Sequence, residues 1–598
     1  MEKLLDRSDV RSEDKWDVLS VYENILEWEK DASKCQELIE VLSSKKDTFL
    51  NSSKDFKEFI LLDSSLSRLL DKVYLYTSLK SNEDMANATY QELNGKAALI
   101  YQDYQEKTSF VVPMMLKASD GIIEGYLDKE KELEPFKHGI KDILRYKNHH
   151  LSEEQEKILA AFSKTLASGS EVASFLMDAD IRFGNITLPN GDVVELTDSN
   201  YGIYLRDKNR DVRRQAFLRM HEVYGSFKNT LNATLASNVN YDTVHARLTN
   251  FDSSLAMSLY SNNIPLVLYD NLIKVVHDNL PVLYRYYDIK KEILGLDEFH
   301  LYDGYVSCVK DFSKKYSFEE GKGLVLLALS VLGDEYSKVL NKAFTDGWID
   351  KYPNRGKTGG AYSSGCYDTK PFVLLNYTNN YDDVSTLAHE LGHSMHSYFS
   401  IHYNDYENHS YSLFLAEIAS TVNELLLSYY MENKVSTKEE KLAILNERLD
   451  LFKATIFRQT MFAEFEKHIH EMAYNNEILT ADNLSNYYYQ LNKKYFGDNV
   501  VVDDVIRYEW LRIPHFYRSF YVYQYATGLS IASYIAKNIL EEKEGFKDKY
   551  IEFLKSGGRD YPLEVLKIID VDLNGTKVFT DAMSVFEDTV DKFYELIK

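Results

Sequence analysis

Apolar positions recur at helical spacing through most of the chain. In DKWDVLSVYENILEWEKDASKCQELIEVL (14–42), Trp16, Leu19, Tyr22, Ile25, Leu26 and Trp28 fall near a 3.6-residue period, which predicts an amphipathic helix. SEEQEKILAAFSKTL (152–166) opens on Ser152, with Gln155 placed to close a capping box. Residues 1 to about 180 therefore read as successive helices. The pattern changes at NITLPNGDVVEL (185–196), where Pro189–Asn190–Gly191–Asp192 turns between two β-prone runs. A boundary is expected just before it, separating a helical N-terminal region, 1–184, from the remainder, 185–598. Helices resume at RDKNRDVRRQAFLRMHEVY and run to about residue 345. PNRGKTGGAYSSGCYDTKPFVLLNY (353–377) interrupts them: AYSSGC and PFVLLNY are strand-like, and Tyr367–Asp368–Thr369–Lys370 turns. Beyond it the chain reads as mostly helical to Lys598.

Composition agrees with a large, mostly α body. The 598 residues are 44% hydrophobic, with only nine prolines and 26 glycines. The net charge of −24 repels phosphate backbones, and no long basic patch offsets it, so nucleic-acid partners are not expected. Cys35, Cys308 and Cys366 are widely spaced and form neither a disulfide framework nor a thiolate metal site, which fits a reducing compartment. The charged N-terminus lacks an apolar signal segment. GLVLLALSVLG (323–333) is too short to span a bilayer and is expected to be a buried helix. A soluble cytoplasmic protein without membrane partners is expected; the oligomeric state is not legible.

Chemistry concentrates in STLAHELGHSMHSYF (385–399). On a helix capped by Asp382 or Asp383, His389 and His393 project to one side a turn apart, close enough to share a metal ion. Glu390, rotated by about 100°, can reach a water beside that ion and serve as general base. With 15 histidines in the chain, an accidental HExxH is expected only ~0.03 times. Gly392 weakens the helix, and a reason to keep it would be close approach of another chain segment or of substrate. A catalytic zinc needs a third protein ligand. The extension HExxHxxGxxH fails, because His396 and Phe399 stand where it needs Gly and His. His396 follows His389 by seven residues, about 10 Å along the axis, too far to join the pair on one straight helix. Glu417, in SLFLAEIASTVNELLL, is the remaining candidate; an antiparallel helix pair joined by 401–411 would bring it opposite the histidines. Ser420 and Glu424 share its face and could orient a ligand imidazole.

HELGHSMH, AEIASTVNE and GGAYSSGCYDTKPFVLLNY, continued by IPHFYRSFYVYQYATG (513–528), resemble the oligoendopeptidase F group of the M3, thimet oligopeptidase-like, zinc metallopeptidases. With RDVRRQAF the resemblance covers about 185–590. It implies a helical body with a deep channel, zinc on its wall, and hydrolysis of internal bonds of short unstructured peptides.

The 513–528 segment offers His515, Tyr517, Tyr521, Tyr523 and Tyr525. Tyrosine O–H and imidazole N–H groups are the donors that a tetrahedral oxyanion needs. Taken alone, the cluster is more simply an aromatic core stripe in a chain with 46 tyrosines. Beside the zinc motif and the resemblance, His515, Tyr517 and Tyr523 become candidate catalytic donors. The strands of 361–377 could hold a substrate by edge pairing, which ignores side-chain identity. A zinc carboxypeptidase, with Arg512 or Arg518 on the terminal carboxylate, and a silent peptide-binding protein are the alternatives.

Overall fold

The computed structural model describes residues 4–309 and 314–598, apart from the side chains of Glu153, Ala160 and Ser163. Helix accounts for 72% and strand for 3%. The chain divides into two compact units, each assembled from three stretches: Met1–His150, Ser313–Tyr430 and Ile535–Val571 form the first, and Leu151–Phe312, Met431–Tyr534 and Asp572–Lys598 the second.

In the first unit, helices Ile25–Ser44, Ser53–Glu83 and Ala88–Thr108 pack around Trp28, Ile39, Phe56, Leu66 and Val73. The helix expected from about residue 14 begins only at Ile25. Asn24 caps it by accepting the Glu27 N–H, and the preceding stretch forms short 3₁₀ turns that bury Trp16 and Tyr22 without a helix; Leu19 there and Leu26 in the helix's first turn stay exposed. The apparent period there came from aromatic anchors in irregular chain. The apolar 323–333 run lies in helix Phe318–Leu329 and the turn after it, with Leu324, Val325, Leu329 and Leu332 buried.

Three short strands make the sheet of this unit: β1 (Ile349–Asp350), β2 (Tyr362–Ser364) and β3 (Phe372–Leu374), in the order β1-β3-β2. β3 runs parallel to β1 and antiparallel to β2, with Ser363 opposite Val373. The centre goes to Phe372–Val373–Leu374 because all three side chains are buried, whereas the half-buried Tyr-Ser-Ser run tolerates an edge. Next come α1 (Tyr381–Tyr403) and α2 (Leu413–Lys434). Asn380 caps α1, not Asp382 or Asp383. Asp383 sits at the third helical position and closes the capping box, accepting the Asn380 N–H at 3.0 Å.

The second unit opens its β content with the expected hairpin, Asn185–Thr187 against Val193–Glu195. The Ser152–Gln155 capping box is also present, its reciprocal bonds 3.0 and 3.3 Å long. In RDVRRQAF, buried Arg213 and the more exposed Arg210 both pair with buried Asp303, so this basic segment anchors to the core. Helix Lys228–Leu248 packs on α3 (Arg458–Tyr474), and a 3₁₀ turn, Pro514–Tyr517, precedes α4 (Tyr523–Leu540). Among the described residues, no helix is long and apolar enough to cross a membrane.

Candidate metal centre

The histidine pair and Glu417 converge within the first unit. The Nε2 atoms of His389 and His393 lie 3.2 Å apart, and each is 3.5 Å from Glu417 Oε2. Contacts between α1 and α2 pair residues in reverse order: 389 with 424, 392 with 420, and 393 with 417. The two helices are therefore antiparallel, as expected. Gly392 makes that approach feasible: a Cβ there would stand 2.5 Å from Ser420 Cα and 2.6 Å from the Ala419 carbonyl oxygen. No side chain fits such a contact without moving backbone.

Each member of the triangle is held from behind. His389 donates its Nδ1 proton to Glu424, which turns Nε2 towards His393 and Glu417. His393 makes a hydrogen bond to the Ala416 backbone. Ser420 Oγ donates to Glu417 Oε2 at 3.1 Å, so this hydroxyl steadies the carboxylate and not an imidazole. Asn423, which the sequence reading passed over, is fully buried. It donates to the Ala388 carbonyl at 3.0 Å and accepts from Tyr336 at 2.9 Å. The signal was visible: an asparagine inside the apolar run AEIASTVNELLL.

Charge at this place is unbalanced. Burial works against protonating His389, but Glu424, followed by Glu390 and Glu417, outweighs it and lifts the pKa to about 9. Burial and the neighbouring His389 push His393 down to about 4. Three carboxylates around two imidazoles thus attract a cation strongly. The triangle fits a particular kind. Two ligands at about 2.0–2.1 Å from a tetrahedral ion stand about 3.3–3.4 Å apart, the separation of these N and O atoms. The Glu417 side chain is 44% exposed, which leaves one side of the triangle open to solvent.

Glu390 lies beside the triangle and is largely buried. Burial first, then Glu417 and Glu424, raise its carboxyl to about 7, against the opposing effects of His389 and a Ser363 backbone N–H. Ser363 belongs to β2, and its hydroxyl also meets Ser394 at 2.8 Å. The sheet edge and the motif helix are thereby joined at the glutamate. His396 is away from this cluster, fully buried and stacked on Tyr411 with ring centroids 3.7 Å apart.

The other candidates lie in the second unit. His515 is exposed, its ring parallel to that of Tyr521 at 6.2 Å and edge-on to Tyr525 at 6.1 Å. Tyr517 shares a 2.7 Å hydrogen bond with Thr234. Tyr523 is 2% exposed and packs on Tyr269 with centroids 5.3 Å apart. Of the alternative cations, Arg512 is paired with Asp198 at 3.3 Å, and Arg518 lies over the Tyr521 ring.

Two sequence families match the chain: "Peptidase family M3" over residues 203–585 and "Oligopeptidase F" over 115–183. The chain is 40% identical to oligopeptidase PepF of Bacillus subtilis over 595 residues, covering all of this chain and 89% of that protein. It is 38% identical to an oligoendopeptidase F homolog of Borreliella burgdorferi, with both chains fully covered. A crystal structure of a Chlamydophila abortus protein superposes with a TM-score of 0.94 at 36% identity, covering 99% of this chain and all of the other. Oligoendopeptidase-F from Enterococcus faecium gives 0.73 at 33% identity, with 96% and 100% covered.

Proposed function

We propose that this chain, which belongs to peptidase family M3, is an oligoendopeptidase that cuts internal bonds of short unstructured peptides with one zinc ion per chain. The observation that carries this reading is the 3.2–3.5 Å triangle of two imidazole nitrogens and one carboxylate oxygen. His389, His393 and Glu417 would hold the ion, with Glu424 and Ser420 fixing their orientation. When bound, zinc supplies Lewis acidity, which acidifies water and polarises a carbonyl.

Glu390 is the proposed general base. Its carboxylate takes the proton of the attacking water and passes it to the leaving amine nitrogen. Burial raises this carboxyl above the ordinary carboxylate range, which makes it a better proton acceptor than an exposed glutamate. Among the described residues β2 pairs only with β3, so its other edge can take an extended substrate by backbone hydrogen bonds. His515, Tyr517 and Tyr523 are proposed as donors to the oxyanion or the substrate backbone; their chemistry as N–H and O–H donors supports this. We assign the catalytic region to 185–598, the substrate path to a channel that excludes folded proteins, and the site of action to the cytoplasm.

Metal analysis combined with mass spectrometry of a mixed peptide digest tests the proposal. Stoichiometric zinc and internal cuts are expected. Stepwise removal of C-terminal residues would replace the reading with a carboxypeptidase.

A further inference from the structure

Phe520 is the anomaly of the second unit. Its φ is +58°, a region that bulky side chains avoid. Of the seven described non-glycine residues with positive φ, four are Asn and one is Asp, which tolerate it; Phe520 has no such excuse. The conformation reverses the chain between the 514–517 turn and α4. That reversal lays Tyr521 and Tyr525 back against His515, with Tyr521 and Tyr525 centroids 5.3 Å apart.

What holds the reversal is specific. The Phe520 N–H donates to Glu466 Oε1 at 3.0 Å. Glu466 is fully buried, and among the described residues its Oε2 has no hydrogen-bond partner. A packing-driven core would discard such an oxygen, since burying it unpaired costs stability and an apolar side chain would fill the space. The same face of α3 contributes twice more. His470, one turn on, packs on the Phe520 ring at 4.5 Å, and Ala463 accepts the hydroxyl of Tyr269, whose ring touches Tyr523. Helix Lys228–Leu248 meets the segment with a matching row at intervals of four. Thr234 holds Tyr517, Asn238 donates to Ser519 Oγ, and Asp242 accepts from Ser519 at 2.6 Å.

We infer that Glu466 is a positioning residue for hydrolysis: its buried carboxyl holds Phe520 in the left-handed conformation that seats the 513–528 segment, with the proposed donors His515 and Tyr517 on one side of the bend and Tyr523 on the other. This rests on the proposal that the 513–528 segment supplies donors to the reaction. Glu466 itself touches neither substrate nor reacting atoms.

The test uses the zinc-loaded full chain and an internally quenched peptide. Glu466→Gln keeps an oxygen acceptor and is expected to hold kcat within about threefold of the parent. Glu466→Met fills the space without an acceptor and is expected to lower kcat by about 10²-fold, with KM, zinc content and melting temperature little changed. A purely structural role would instead move stability and activity together. Ser519→Ala removes the neighbouring tether to Asp242 and leaves Glu466 in place, and is expected to lower kcat in the same sense. Parental kcat in Glu466→Met overturns the inference, as does parental kcat in Ser519→Ala should the methionine variant fail to fold. His515→Gln and Tyr→Phe at 517, 521, 523 and 525 separate the two claims. Loss of kcat in any of these with an active Glu466→Met removes the positioning role alone. Parental kcat in all of them removes the donor reading and the positioning role together.

Discussion

His389 donates its Nδ1 proton to Glu424, thirty-five positions along the chain and on the neighbouring helix. This contact turns the other nitrogen of the imidazole towards His393 and Glu417. Glu424→Ala should therefore weaken metal affinity by about 10–100-fold. Competition with a chelator of known affinity measures it. Parental affinity would show that ring orientation is set by packing alone.

Gly392→Ala sets two effects against each other. Alanine gains about 1 kcal/mol of helix propensity over glycine. Its Cβ, however, would stand 2.5 Å from Ser420 Cα, a backbone atom that cannot rotate away. Overpacking of this kind costs about 1–3 kcal/mol and should part α1 from α2. The expected outcome is a lower melting temperature together with a lower zinc occupancy after dialysis. An unchanged melting temperature and full occupancy would mean that the helices have slack.

How much of this was legible beforehand follows from the range of each contact. His389, Glu390 and His393 are set by helical spacing within one turn, so the sequence alone placed them. Glu417 needed the further inference of an antiparallel partner helix, for which the polar 401–411 loop between two helical runs was the clue. The 185–196 hairpin and the β2–β3 pair were readable from their turns, but β1 was not: Ile349–Asp350 is two residues long and is a strand only because β3 pairs with it. Residues 14–24 misled, since Trp16 and Tyr22 are buried by tertiary packing without a helix. Two units, each assembled from three stretches, depend on long-range contacts that no local pattern encodes. The positive φ of Phe520 is likewise invisible, because the Glu466 that holds it lies 54 positions away.

Removal of the metal should leave the body folded. The proposed ligands sit on helices whose apolar faces are buried independently, including Leu387, Leu391, Ile418 and Val422. Chelation is expected to abolish peptidase activity with little change in helical circular dichroism, and added Zn²⁺ should restore the activity. Full activity in metal-free protein would remove the site from the reaction.

The proposed edge pairing on β2 would make the substrate backbone, more than its side chains, the recognised feature. N-methylation of one substrate amide that pairs with the strand should lower kcat/KM by about 2–10-fold, the loss of a single net hydrogen bond of about 0.5–1.5 kcal/mol. A scan of singly N-methylated peptides should show sensitivity at alternate positions, since neighbouring amides in a strand point opposite ways. Uniform tolerance across the scan would rule out strand addition. Compact folded proteins, which cannot present an extended segment, should survive incubation that consumes short peptides.

Glu390→Gln bears on the central claim most directly, because it removes the proton acceptor and keeps the side chain's size and its place beside Ser363. Activity on a short internally quenched peptide and bound zinc should be measured on the same preparation. The account predicts a fall in kcat of at least about 10²-fold with zinc still near one per chain. Parental kcat in this variant, with zinc retained, would contradict it.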